Sequence, residues 1–528
     1  MASAVLMLSL VAGAQSKNFR LAKWLEIHGS ILNELNRSYV DTLPLDRIER
    51  ASVDAMLSSL DPYTTYIPVE ENKDFQLMIS NTYGGMGAII YKPDVQGNVI
   101  INEPYLGSPS QKAGLVCGDE LLYIDTLCTR GITSSEASAK LRGEPGTRVH
   151  LKVKKLRSGD TLDVDIVREK IHLPDVVYSG MIDSQTGYIV QTGFSEGVYN
   201  DFRAAVIALK KQGMKRLFID LRGNGGGLMS EAVDIVSLFV PKGSLIVTAK
   251  GRASGSEYKS YTTKSPVDLN LPLYVLINSS SASASEIVAG ALQDLDRATI
   301  MGARSFGKGL VQSIRPLPYG GQLKLTTAKY YTPSGRCVQA IDYATRREDG
   351  SVEHIPDSLT HEFKTASGRV VKDGGGIMPD VLLKQKEYSR LTFSLVRYGI
   401  IEEFVLDYVR RHENIPAAED FHLGDEEFER FVEFASKKEF DYRSSAKTYF
   451  DWLKTELNKD GISQTLTPHL EAMEAALKME KVDFIRLKKD EIIPFIEEEI
   501  VVRYYYQQAG VKIRIRYDDE LREAMNQA

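Results

Sequence analysis

Two side chains in this sequence have the types needed for nucleophilic chemistry. Ser283 stands in Ser281-Ala282-Ser283-Ala284-Ser285-Glu286, and Lys308 stands between two glycines in Phe306-Gly307-Lys308-Gly309. A serine hydroxyl is a weak nucleophile until a neighbouring base takes its proton, and a lysine amine is such a base only when neutral. A solvated lysine keeps its proton up to a pKa near ~10.4, so it must be desolvated to titrate near ~7 to 8. Ser305, Phe306, Gly307, Gly309, Leu310 and Val311 give Lys308 uncharged company. The chemistry would be acyl transfer. A bland alternative stands beside it. Ser283 to Glu286 also fits the S-x-x-E capping box, in which the serine only satisfies a backbone N–H at a helix start, and a lysine between glycines fits a solvated loop.

The surrounding pattern supplies elements that could bring the pair together. Leu273–Ile277 reads as a short buried strand, residues 278–283 as a tight polar loop, and from Ala284 the apolar residues Ile287, Val288, Ala289, Leu292 and Leu295 recur at helical spacing. The loop residues are thereby lifted onto a helix N-terminus. A second apolar segment, 298–301, leads into the lysine. Upstream, residues 215–221 read as a strand that runs into Gly223-Asn224-Gly225-Gly226-Gly227. A glycine run lets bare backbone N–H groups approach a ligand, which suits an oxyanion hole. A phosphate cradle is the rival reading, but neither G-x-x-x-x-G-K-[ST] nor G-x-G-x-x-G is present.

The string SASASEIVAGALQD, followed by RATIMGARSFGKGLVQ, closely resembles the C-terminal processing peptidases, tail-specific serine proteases with a Ser-Lys catalytic pair. The resemblance implies Ser283 as nucleophile, Lys308 as general base and Gln312 as the residue that orients the lysine. It also implies an oxyanion hole of Gly226 and Ala284, with Gly227 as the neighbouring donor, and no metal or other cofactor. Leu60-Asp61-Pro62 and Gly376-Ile377-Met378-Pro379-Asp380-Val381 match further motifs of the same family. Between them, alternating strands broken by glycine turns from about Gly84 to Glu169, with Thr133 to Glu136 as a helix cap, resemble a PDZ domain. Such a domain offers backbone N–H groups, here those of Met86, Gly87 and Ala88, to a peptide's C-terminal carboxylate.

The chain has 528 residues, too many for one core, and its net charge of −6 gives no reason to expect nucleic acid. Three cysteines, Cys117, Cys128 and Cys337, are too few for a disulfide framework, and neither they nor the histidines form a metal or H-E-x-x-H pattern. The apolar run that ends in Val11-Ala12-Gly13-Ala14-Gln15 resembles a signal peptide without a basic start, which predicts export to the periplasm or envelope, an uncleaved anchor being the minority form. The expected organisation is a signal-like segment (1–17), an N-terminal helical region (18–80), a PDZ domain (81–170), a Ser-Lys peptidase core (171–388) and a C-terminal helical domain (389–528). Leu21, Trp24, Leu25, Leu32 and Leu35 are spaced for one buried helix face in the first of the helical regions. Leu391, Phe393, Leu395, Val396, Ile400 and Phe404 are spaced for one in the last, and the polar stretch 342–369 reads as a surface insertion. The tail's aromatics, Tyr504, Tyr505 and Tyr506, read as core or subunit interface. The fold class is mixed α/β, with a crotonase- or ClpP-like core, an inserted PDZ domain and helical ends. The expected function is a serine endopeptidase acting near or from the C-terminal tails of proteins with apolar ends, with the PDZ domain capturing the tail and gating the cleft. An envelope adaptor and a homodimer are the expected partners. The rivals are a non-catalytic PDZ adaptor and an apolar-ligand binder on the same core.

Overall fold

The computed structural model describes residues 17–92, 96–252, 255–347, 350–440, 444–477 and 480–528. The signal-like segment lies outside the described residues, apart from Lys17, which begins a helix. Among the described residues no helix is long and apolar enough to cross a membrane.

The larger of two compact units comprises residues 70–311 and 327–528. At its centre is a six-stranded sheet whose spatial order follows the chain: Val176–Met181, Thr186–Gln191, Arg216–Asp220, Leu273–Ile277, Thr299–Gly302 and Val381–Leu382. The first pair is antiparallel and the rest are parallel. Parallel neighbours need crossovers, and right-handed crossovers taken in one direction put every connecting helix on the same face. The packing shows this. Leu217, Ile219, Val275, Ile277 and Ile300 point into one core shared with the helices Val198–Lys211, Met229–Ser237 and Ala284–Asp294. The alternate residues Phe218, Leu276 and Met301 point the other way. They meet Val511, Leu521 and Ala524 from the C-terminal helices Lys489–Arg516 and Asp519–Gln527.

A separate six-stranded antiparallel sheet lies within residues 88–167, its core built on Val99, Ile101, Leu121, Val149, Leu151 and Val153. Period-two alternation buries one face, and the helix Ser134–Leu141 starts on a capping box between Thr133 and Glu136. The stretch 342–369 is less free than expected. Its ends form two hairpins, Ile341–Arg346 with Val352–His354 and Glu362–Lys364 with Val370–Lys372. Arg369 anchors the second to Asp296 (2.7 Å) and Asp380 (2.6 Å).

From Arg390 onward the chain is helical around a core of its own. Leu391, Leu395, Ile400 and Phe404 are buried there, but Phe393 and Val396 are 61% and 47% exposed. Residue 393 sits about 200° around the helix from 391, on the opposite face. The tail's aromatics serve contacts inside the chain. Tyr504 and Tyr505 donate to the carbonyls of His412 (2.5 Å) and Ile415 (3.0 Å), and Tyr506 accepts from Gln111 (2.5 Å). All three cysteines are free thiols, and burial pushes that of Cys117 up to about 12.

The smaller unit, residues 1–69 with 312–326, holds the described helices Lys17–Ser38 and Leu45–Ser58 and the strand Thr65–Ile67, which pairs antiparallel with Gln322, Leu323 and Lys324. The Asp61 carboxylate accepts the N–H groups of Tyr63 and Thr64 (both 2.8 Å), so Leu60-Asp61-Pro62 makes the turn into that strand. The buried face expected of the first helix is not formed. Leu21, Trp24 and Leu25 are 63%, 64% and 65% exposed, and Leu32 and Leu35 are half-buried. Apolar spacing marks which face would be covered and cannot itself supply the cover.

Candidate active site

The buried strand Leu273–Ile277 delivers Ser283 to the start of the helix Ala284–Asp294. A serine that merely caps a helix has extended backbone. Ser283 instead has φ +56° and ψ −111°, a sparsely populated region that a side chain occupies only when its surroundings over-determine it. The surroundings do so here. Ser281 Oγ donates to the Leu221 carbonyl (2.8 Å), and the Ala282 N–H and Ser285 Oγ both donate to the Asn224 carbonyl (3.0 and 2.9 Å). Tyr330 Oη donates to the Ser283 carbonyl (3.1 Å).

The element that joins the Ser283 turn and the Lys308 loop is Glu286, which is fully buried. Its carboxylate accepts four hydrogen bonds: from the Ser283 N–H (2.8 Å), Ser305 Oγ (2.6 Å), the Gly307 N–H (2.7 Å) and the Lys308 N–H (2.8 Å). The bonds from Ser283 and Lys308 end on the same oxygen, Oε2, so the two backbones are held within two hydrogen-bond lengths of each other. Burial pushes the carboxyl up, and the four donors oppose that shift. The capping-box geometry expected of Ser283-Ala284-Ser285-Glu286 is present, and its glutamate reaches past the box to the lysine loop. Gly307, at φ +86°, can only be glycine, since a Cβ there would lie 2.3 Å from that of Ala340. Ser305 closes the loop from the other side by accepting the Ile377 N–H (2.6 Å), which brings in the Gly376-Ile377-Met378 motif. Ser283 and Lys308 are both half-buried.

The glycine loop lies against this turn. A Cβ on Gly226 would be 2.8 Å from the Ser283 Cβ and 2.9 Å from the Ala284 nitrogen, and its φ is +100°. The Gly226 N–H, expected to face the oxyanion, donates to Asn224 Oδ1 (2.9 Å). Asn224 itself is fully buried and donates from Nδ2 to the Gln191 carbonyl (2.9 Å). Gln312 belongs to the smaller unit, where its amide donates to Thr326 Oγ1 (3.2 Å). Met86, Gly87 and Ala88 line a cavity of about 190 Å³ together with Leu77, Tyr83 and Leu141. Two larger cavities, of about 350 and 470 Å³, are lined by neither Ser283 nor Lys308.

Sequence reasoning missed Asn224, Ser305 and Tyr330, and it saw Glu286 only as a cap. An S-x-x-E pattern looks the same whether the glutamate faces water or, as here, a second loop; only its apolar neighbours Ile287 and Val288 hinted at burial. Among the described residues no group of acidic, histidine or cysteine side chains is arranged to hold a metal ion.

Three family models match parts of the chain. The peptidase family S41 model matches residues 185–345, a PDZ domain model matches 100–155, and the model of the C-terminal helical domain of a probable PDZ-protease matches 391–527. The chain is 38% identical to a carboxy-terminal-processing protease of Bartonella bacilliformis over 326 residues, which is 60% of this chain and 73% of that one. It is 34% identical to the carboxy-terminal processing protease CtpA of Bacillus subtilis over 306 residues, 58% of this chain and 64% of the relative. A solved photosystem II D1 C-terminal processing protease is 26% identical and covers 66% of this chain and 86% of its own, with a TM-score of 0.35. With a serine turn, a lysine loop and a glycine loop tied to one another by buried polar groups, and 38% identity over 73% of the Bartonella relative, the chain is a serine peptidase that belongs to the carboxy-terminal-processing proteases of family S41.

Proposed function

We propose that the chain is an endopeptidase that cleaves proteins near or from their C-terminal tails through a Ser-Lys acyl-enzyme. The neutral amine of Lys308 takes the proton of Ser283 Oγ as that oxygen bonds to the scissile carbonyl carbon. The oxyanion is stabilised by the Ala284 N–H and by the glycine loop, through Gly226 once its peptide turns from Asn224 or through Gly227 beside it. The C–N bond breaks as the leaving amine takes the proton from Lys308, and a water deprotonated by the same amine then frees the acyl group. The groove at Met86, Gly87 and Ala88 takes the carboxylate of an apolar tail and gates the cleft. Export to the envelope, an adaptor partner and self-association belong to the same reading.

The observation that supports it most is the Glu286 carboxylate, which ties the backbones of Ser283 and Lys308 to one oxygen. The test is hydrolysis of an unfolded protein with an apolar C-terminus by the wild type, Ser283→Ala and Lys308→Ala. Both variants are expected to lose hydrolysis and to keep tail binding. Equal turnover by all three would leave only a peptide-holding scaffold.

A further inference from the structure

We propose that Asp518 and Glu520, at the start of the last helix, are positioning residues for the hydrolytic site: they hold Arg222, and through it the root of the glycine loop 223–227. Arg222 is the residue immediately before that loop. Its guanidinium donates to Asp220 from Nε (3.0 Å) and Nη2 (2.7 Å), to Asp518 Oδ2 from Nη2 (2.5 Å) and to Glu520 Oε2 from Nη1 (2.9 Å). Tyr188 Oη donates to Asp220 from below (2.5 Å). The side chains of Arg222, Asp220, Asp518 and Glu520 are only 16%, 8%, 18% and 14% exposed. Charge-assisted bonds at such burial are strong and directional.

What Arg222 anchors is the scaffold of the nucleophile. Leu221, on one side, accepts Ser281 Oγ (2.8 Å) at its carbonyl. Gly223, on the other, donates its N–H to Asn278 Oδ1 (3.0 Å), and Asn224 holds Ala282 and Ser285. A displacement at Arg222 therefore reaches Gly226, which packs on Ser283 and Ala284. Misplacement by about 1 Å in such a site costs roughly a hundredfold in rate. The C-terminal helix thus carries two of the groups that set the site, although it touches neither reacting residue.

The charge balance separates this role from folding. Three carboxylates share one guanidinium, so neutralising one of the C-terminal pair lowers an excess of negative charge and leaves the Arg222–Asp220 pair whole. Asp518 also caps the last helix by accepting the Leu521 N–H (2.8 Å), and asparagine caps as well as aspartate does.

The inference rests on the hydrolytic role proposed above. The test compares Asp518→Asn, Glu520→Gln, the double variant and Arg222→Lys with the wild type, all as full chains, by peptide hydrolysis and by amide hydrogen exchange at 223–227. The control is Asp519→Asn, since Asp519 pairs with Arg522 and Lys386. The expected result for the double variant is a kcat lowered about tenfold, with KM changed by less than about twofold and faster exchange at 223–227. Arg222→Lys, which keeps the charge and loses the fork, should fall at least as far. An unchanged kcat, unchanged exchange, an equal loss in Asp519→Asn, or a kcat lost only in step with the folded fraction overturns the proposal. A wild type without Ser283-dependent hydrolysis overturns the functional reading and this inference with it.

Discussion

The two faces of the peptidase sheet are covered in different ways. One is packed by helices that the successive strand connections supply themselves, so that Val275 and Ile277 find their partners within the same run of chain. The other, with Phe218, Leu276 and Met301, is closed by residues 511–524, more than two hundred positions further on. The local cover carries the proposed nucleophile: Ser283 stands at the start of one of those helices and Glu286 lies in its first turn. The distant cover carries no reacting group, yet its Asp518 and Glu520 reach the root of the glycine loop. One sheet thus has a face that forms whenever the crossovers form and a face that depends on a contact of high sequence separation.

The sharpest way to break the local side is Glu286→Gln. Four donors converge on the carboxylate, and an amide must set its own N–H₂ against at least one of them. Peptide hydrolysis should fall by about two to three orders of magnitude and stability by about 2–4 kcal/mol, read by urea unfolding. Breaking the distant side with Leu276→Ala should cost about 2–5 kcal/mol in the same unfolding assay while Ser283 stays in place.

A pH titration separates the two covers further. On the distant side, burial pushes the Glu498 carboxyl up to about 7, with Arg514 opposing the shift. The native state then holds a proton that the unfolded chain, titrating near ~4.3, has released. The sign follows: stability falls as pH rises from roughly 4.5 to 7 and is level above, by on the order of 1–3 kcal/mol. Glu498→Gln should flatten that slope in chemical unfolding measured across the range; a slope that persists unchanged would assign it elsewhere. The smallest effect is a coupling energy. Leu276→Ala and Leu521→Ala share one cluster and should be non-additive by about 0.5–3 kcal/mol, whereas Val275→Ala and Leu521→Ala, on opposite faces, should add within about 0.5 kcal/mol.

Much of this was legible from local pattern. Strands were expected at residues 273–277 and 215–221, and the structure has them at Leu273–Ile277 and Arg216–Asp220. The cap at Thr133 and the helix from Ala284 follow from neighbours three or four positions apart. What failed was any inference that a spaced apolar face must be buried. Leu21, Trp24 and Leu25 have the spacing and are exposed, and Phe393 was placed on a face that the helical period assigns to solvent. The partner of the Gly226 N–H was not legible: the family resemblance implied a donor at Gly226, and its engagement by Asn224 Oδ1 is set by where the Asn224 side chain packs.

The sequence by itself determined the local elements around Ser283 and Lys308 and, through the family resemblance, singled those two residues out, because helix caps, strand alternation and short motifs are written within a few positions of one another. Only the tertiary structure decided that Glu286 spans from the serine to the lysine loop, and that a helix at the far end of the chain holds Arg222. Those facts rest on which surfaces meet, and a buried carboxylate finds its donors across space, where spacing along the chain carries no record of the distance.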